Sequence, residues 1–183
     1  DLGRELRRRG ILASIGHTDA TYDDVVTAVE AGYTHMTHLY SGMSSVRRTR
    51  AYRVAGAVEA GLLMDDLTVE IIADGKHLPA SLLKLIYKAK GPGRIALCSD
   101  ALRASGMPQG ECILGSVSNG QRAIVDDGVA WLPDRTAFAG SVATANWLVR
   151  NMIQLAGAAV ADAVRMASLT PARILGIDAS KGS

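Results

Sequence analysis

Between residues 11 and 99, short apolar runs alternate with amphipathic stretches. Residues 11–15, 33–37, 67–73 and 94–99 are apolar and rich in β-forming side chains, so each predicts a strand. Helices are predicted between them. One spans 22–31, with Thr21 as N-cap, acidic Asp23 and Asp24 in the first turn and Gly32 past its end. A short second helix spans 54–60, preceded by a polar, basic loop over 41–53. A third begins at Pro79 and runs to residue 90, before Gly-Pro-Gly. Residues 1–10 read as the last turns of a helix stopped by Gly10, and a chain opening in mid-helix at Asp1 is expected to start inside a larger protein. Strand–helix alternation at intervals of roughly 20–35 residues is the pattern of βα units on a parallel sheet. Four such units are half of an eight-stranded barrel.

The rhythm changes after Ala101. A turn at 106–110 leads into short β-forming runs over 111–132, broken by Ser118-Asn119-Gly120 and Asp126-Asp127-Gly128. Those turn residues predict a small antiparallel insert, bounded at 106–135, within one domain spanning 1–183. Helices follow over 144–156 and 160–168, with a last one starting at Pro171. The expected fold class is α/β: a partial (β/α)8 TIM-type barrel made of the C-terminal four βα units, a β-rich insert and C-terminal helices.

Composition removes several function classes. Twenty Lys and Arg against 18 Asp and Glu leave a net charge of +2, which calls for no charge-driven partner. The basic runs Arg7–Arg9 and Arg47–Arg48 have few aromatic neighbours and read as solvated faces, not as nucleic-acid contacts. Cys98 and Cys112 stand outside any CxxC pattern and suit free thiols in a reducing compartment. With no apolar run of about 18 residues and no signal-type segment, a cytoplasmic protein without a membrane partner is expected.

The candidate chemistry starts from the four histidines, all within the first 77 residues. His17 and His38 each follow a predicted strand and are 21 residues apart. Adjacent strands lie about 5 Å apart, so the two imidazoles can converge on one divalent ion. A strand-end histidine can also be hydrogen-bonded without ligating anything. His35, three residues before His38, would face the other side of a regular strand, toward the helix layer, and is read as a packed residue. Asp100 follows the fourth strand. A carboxylate there can take a proton from attacking water and pass it to a leaving group, or it can be an ordinary turn or cap residue. Asp74-Gly75-Lys76-His77 ends the third strand and suits either an anion contact or a tight turn. Arg47, Arg48, Arg50 and Arg53 offer guanidinium groups for a phosphate, or a solvated loop.

Seven segments in register carry a resemblance: Gly-His-Thr-Asp-Ala-Thr (16–21), Thr-His-Leu-Tyr (37–40), Ile-Ala-Asp-Gly-Lys-His (72–77), Ser-Asp-Ala (99–101), Ala-Gly-Ser (139–141), Val-Arg-Asn (149–151) and Met-Ala-Ser-Leu-Thr-Pro-Ala-Arg (166–173). Together they resemble the N-acetylglucosamine-6-phosphate deacetylases of the amidohydrolase superfamily, matching the C-terminal half or so of a family member. The resemblance implies a metal-dependent hydrolase of amino-sugar catabolism, releasing acetate and glucosamine 6-phosphate from a small phosphosugar. It implies a divalent cation, zinc first, with iron or manganese as alternatives, held by His17 and His38. Asp100 is then the catalytic aspartate and His77 a substrate contact, with Asp74, Gly75 and Lys76 lining the same edge. Arg50 matches a phosphate-binding arginine, which in this family can reach a neighbouring subunit's site, implying a homodimer of the full-length protein. Phe138, Ala139 and Gly140 match a segment along the bound sugar.

Two departures are visible. Ser41-Gly42 stands where the family usually has Asn-Ala, so a hydroxyl replaces a phosphate-contacting amide. Arg50-Ala51-Tyr52-Arg53 replaces Arg-Glu-Pro-Gly, which shifts the Arg50 match by up to a residue or two. Family members also supply a metal-binding glutamate from an earlier strand, and Glu5, Glu30, Glu59, Glu70 and Glu111 all fall away from the expected rim. The chain alone is therefore expected to be inactive. Two alternatives remain: an amidohydrolase for a different N-acyl or cyclic amide, or a non-catalytic dimerisation module.

Overall fold

Thr21 starts the first helix–strand unit by closing a capping box. Its backbone N–H donates to Asp24 Oδ2 at 2.8 Å, and the Asp24 N–H returns to Thr21 Oγ1 at 3.3 Å. A computed structural model describes residues 2–182. The elements before the insert are α1 (Leu2–Arg8), β1 (Ser14–Ile15), α2 (Tyr22–Glu30), β2 (His35–Met36), β3 (Arg47–Thr49), β4 (Tyr52–Val54), α3 (Ala57–Leu63), β5 (Thr68–Ile71), α4 (Ala80–Lys90) and β6 (Ile95–Leu97). Then come β7 (Gly110–Leu114), β8 (Gln121–Asp126), β9 (Val129–Trp131), β10 (Phe138–Ser141), α5 (Ala145–Gln154), α6 (Val160–Ala167) and α7 (Leu169–Ile174).

The fold is mixed α/β. Strands β1-β2-β5-β6 form a parallel sheet, so their carboxyl ends share one edge. Met36, Val69, Ile71 and Ile95 belong to one buried cluster with Leu83 and Ile86 of α4, Leu148 and Met152 of α5 and Met166 of α6. The positions in register on the other face, Ser14, His35 and Thr68, are polar, as is Glu70 two residues on.

His35 is buried on that polar face. Its Nδ1 lies 2.7 Å from Thr68 Oγ1 and its Nε2 3.2 Å from Glu70 Oε1. It is packed, as expected, but beside Thr68 and Glu70 and not toward the helix layer. Strand alternation fails as a guide here because β2 ends at Met36 and His38 has left the extended conformation, with φ of 30°.

Residues 41–53 are more ordered than a loop. Arg47–Thr49 pairs with Tyr52–Val54 in a two-stranded hairpin whose tip carries Arg50 at φ 57°. That hairpin takes residues 52–54 into a strand, so the following helix starts at Ala57 and not at residue 54. The second antiparallel sheet has the order β10-β9-β8-β7. Asp127 (φ 52°) and Gly128 (φ 74°) make the two-residue turn between β8 and β9, the left-handed pair a type I′ hairpin requires. Strand β10 returns to the parallel sheet's edge: the Ser141 N–H donates to Asp100 O at 3.2 Å, and the Leu102 N–H donates to Ser141 O at 2.9 Å. Among the described residues, no helix is long and apolar enough to cross a membrane.

Leu83 is fully buried between α4 and the sheet, whereas Leu85 on the same helix is exposed. Leu83→Ala is expected to cost about 2–5 kcal/mol in urea unfolding, and Leu85→Ala less than about 0.5 kcal/mol.

Candidate active site

His17, His38, His77 and Asp100 each follow a parallel strand, and three of them have left the extended conformation in the same way. His17 (φ 40°), His38 (φ 30°) and Asp100 (φ 44°) are all left-handed non-glycine residues. Such residues cost of order 1–3 kcal/mol each and persist only where the surrounding structure holds them. The register explains why the histidines meet. Ser14 pairs with His35 and Ile15 with Met36, an offset of 21 residues, which is also the separation of His17 from His38.

The two rings turn their Nε2 atoms toward each other at 3.1 Å, with centroids 4.8 Å apart. One N–H donates to the other's lone pair. His38 Nδ1 is buried and has no hydrogen-bond partner among the described residues, which leaves the Nε2 contact as the ring's polar anchor there. Two nitrogen ligands on one tetrahedral zinc ion, each at ~2.0–2.1 Å, stand ~3.4 Å apart, so this pair fits two positions of such a shell. A third ligand is not in place: among the described residues, no three His, Cys, Asp or Glu side chains cluster closely enough to hold an ion. Of residues 17, 38 and 100, the structure brings the two histidine Nε2 atoms together and places Asp100 in the lining of the same cleft.

Asp100 lines the same cleft, of about 380 Å³, together with His17, His38, Tyr40, Ser41, Gly42, His77, Phe138, Ala139 and Gly140. His17 and Asp100 are open to solvent. Gly42 has φ 61°, and a Cβ there would stand 3.1 Å from His17 Cγ, so its bare backbone lies against the imidazole face. Gly140 likewise lets β10 pass close to the Asp100 segment: a Cβ there would meet Leu102 Cδ2 at 3.0 Å and Asp100 O at 3.5 Å.

His77 is held from behind. Asp74, whose side chain is 1% exposed, accepts the backbone N–H groups of Lys76 and His77 on Oδ1, both at 2.8 Å, and His77 Nδ1 on Oδ2 at 2.6 Å. Burial alone would raise the Asp74 carboxyl, but the His77 side chain, helped by those backbone donors, outweighs it and holds the group below the usual carboxylate range. With Nδ1 donating to Asp74, His77 keeps Nε2 for the cleft. Its ring packs at 5.0 Å from that of Phe138.

Four candidates lie outside the cleft lining. Asp74 is buried behind His77. Gly75 packs against α5, and Lys76 pairs with Asp127 at 2.7 Å. Arg50 is at the exposed hairpin tip because β3 and β4 pair with each other and carry it there. Tyr40 is the cleft residue that sequence reasoning passed over. The Thr-His-Leu-Tyr segment held the signal, since a turn that presents His38 also presents the residue two further on. Burial, with Glu59 nearby, raises the Tyr40 phenol.

The amidohydrolase family model matches residues 5–183, and the chain belongs to that family. It is 38% identical to an N-acetylgalactosamine-6-phosphate deacetylase from Escherichia coli O157:H7, over 98% of this chain and 45% of that protein. It is 37% identical to an N-acetylglucosamine-6-phosphate deacetylase from Lysinibacillus sphaericus, over 94% of this chain and 42% of that one. Among solved structures, the N-acetylglucosamine-6-phosphate deacetylase of Pasteurella multocida superposes with a TM-score of 0.88 at 30% identity, covering 98% of this chain and 45% of the other. A mutant of the Mycobacterium smegmatis enzyme, in complex with N-acetyl-D-glucosamine-6-phosphate, gives 0.88 at 33% identity, covering 99% and 46%. The chain thus spans under half the length of the relatives it matches.

Gly42→Ala combines a left-handed backbone with a Cβ pressed on His17, so it is expected to cost about 1–3 kcal/mol and to shift the His17 ring resonances in NMR spectra. Asp74 also predicts a pH dependence. Because its folded pKa is depressed, its stabilisation is complete above the unfolded value of about 3.9 and is lost as pH falls through the lower folded value. Urea titrations across that acid range should find Asp74→Asn less stable than the parent at neutral pH, with the gap narrowing in acid.

Proposed function

We propose that this chain is the part of a sugar-phosphate deacetylase that carries its two histidine metal ligands and its proton-transfer aspartate. The observation that carries the reading is the convergence of the His17 and His38 Nε2 atoms at 3.1 Å in a cleft that Asp100 and His77 also line. In this reading the four-stranded parallel sheet β1-β2-β5-β6 would be half of an eight-stranded barrel, and the cleft, past the strands' carboxyl ends, would lie where barrel enzymes build their sites. Since the chain spans under half of its relatives, the activity is proposed for a protein in which the remaining length, with a third metal ligand, is present.

The substrate in this reading is N-acetylglucosamine 6-phosphate, and the products are glucosamine 6-phosphate and acetate. His17 and His38 would hold a divalent ion, zinc first among the candidates. When bound there, a divalent ion would supply Lewis acidity toward the acetamide carbonyl and the attacking water. Asp100 accepts the proton of the attacking water on its carboxylate as the new C–O bond forms. It then delivers that proton to the sugar nitrogen as the C–N bond breaks, so acetate and a free amine leave. His77, its Nδ1 committed to Asp74, offers Nε2 to a substrate oxygen. Phe138, Ala139 and Gly140 form the wall along the sugar, and Ser41 and Gly42 take the phosphate side. The enzyme works in the cytoplasm as a homodimer, and Arg50, exposed on its hairpin, is placed to reach a neighbouring subunit.

A second reading keeps the chemistry and changes the sugar. The E. coli relative is named for the galactosamine epimer, and Ser41-Gly42 alters the phosphate side of the cleft.

Acetate release by the full-length zinc-loaded protein tests both readings. Turnover of N-acetylglucosamine 6-phosphate above that of the galactosamine epimer and of the unphosphorylated sugar is expected. Preference for the epimer supports the second reading, and no release from either phosphosugar sinks both. Asp100→Asn should lower kcat by about 10²–10⁴-fold while leaving zinc content unchanged, and His17→Ala or His38→Ala should lose the metal.

A further inference from the structure

Asn151 belongs to the Val-Arg-Asn segment, for which neither the cleft nor the proposed chemistry provides a role. It sits on α5, 7% exposed, and its Nδ2 donates to the backbone carbonyl of Ala73 at 2.9 Å, a contact between residues 78 apart in sequence. Ala73 immediately precedes Asp74. The next residue, Gly75, has φ 79°, and a Cβ on it would stand 3.0 Å from Leu155 Cδ1 and 3.5 Å from Asn151 Nδ2. The turn therefore lies flush on α5, with one side-chain hydrogen bond securing it and apolar packing beside it.

We propose that Asn151 is a positioning residue which, through the Ala73 carbonyl, sets the turn that lets Asp74 fix the tautomer and aim of His77. The proposal rests on the reading of His77 as a substrate contact only for its functional consequence, since the structural claim stands without substrate. The turn has few degrees of freedom. Asp74 already accepts three donors, from the Lys76 and His77 backbones and from His77 Nδ1. A rotation of the 73–74 peptide would displace all three together. Lys76 does not secure the turn against α5, because its ammonium reaches away to Asp127. Asn151 makes the polar contact between α5 and the Ala73 carbonyl. A buried carbonyl that loses its donor has reason to turn and find another.

The test uses the full chain with ¹⁵N-labelled histidine at one fixed pH, where the side-chain shifts report which ring nitrogen carries the proton. His77 in the parent should be held as the Nδ1–H form, and Asp74→Asn calibrates the signal of a released ring. Asn151→Leu keeps the volume and removes the donor, and should release at least about half of that tautomer preference. Leu155→Ala removes neighbouring packing without touching the hydrogen bond, and should leave the His77 signal near the parent's. Melting curves identify any variant that fails to fold, and Asn151→Ala then provides the second donor-free form. A parent-like His77 signal in folded Asn151→Leu overturns the proposal, as does an equal shift in Leu155→Ala, which would mean general loosening. In the full-length enzyme, Asn151→Leu should lower kcat/KM by up to about 10²-fold. A released tautomer with unchanged kcat/KM, together with a silent His77→Ala, would overturn the substrate role of His77 and leave the positioning role standing.

Discussion

The site depends on parallel register. In a parallel sheet all strands end on the same side, and the residue offset between neighbours decides which side chains stand abreast there. Here the β1–β2 offset of 21 sets His17 beside His38, and the β5–β6 offset of 26 sets Asp74 level with Asp100. A slip of one residue between β1 and β2 would separate the two Nε2 atoms and turn the apolar face of a strand the wrong way. Burial of Met36, Val69, Ile71 and Ile95 against α4, α5 and α6 is what makes that slip costly. The apolar core and the histidine pair are thus linked through a shared register.

That register holds a strained rim. His17, His38 and Asp100 each adopt a left-handed backbone, which unfolded residues of these types would seldom choose. The turns are secured by their neighbours. The Ser141 N–H binds the Asp100 carbonyl, the Leu39 N–H binds the Glu70 carbonyl at 2.8 Å, and Gly42 leaves room for the His17 ring. The antiparallel sheet earns its place in the same way: β10 is tied to the segment after β6, and that tie brings Phe138, Ala139 and Gly140 over the cleft. Bound polar groups divide the labour, with Asp74 buried to orient His77 while Asp100 stays open to solvent.

Much of this was legible along the chain. The apolar runs marked all four parallel strands, although two of them shrink to two residues in the structure because hydrogen-bonded pairing stops where the rim turns begin. Asp126-Asp127-Gly128 announced its hairpin, and Thr21 with Asp24 announced the α2 cap. Local polarity misled over residues 41–53, where arginines on both strands of an exposed hairpin look like a solvated loop. Residues 138–140 match a segment along the sugar, but the strand Phe138–Ser141 that contains them is not legible, since a four-residue segment containing Gly140 carries little β signal of its own.

By itself the sequence determined the alternation of elements, the caps and the residue types that chemistry needs at the strand ends. Those depend on local backbone preference and on periodicity, which act over a few residues. Only the tertiary structure decided which of the candidates meet. Arg50 leaves the cleft because its hairpin pairs with itself, Lys76 turns to Asp127, and His35 is taken up by Thr68 and Glu70. Each of those outcomes depends on contacts between segments far apart along the chain, and packing and register set such contacts, not any local property of the residue.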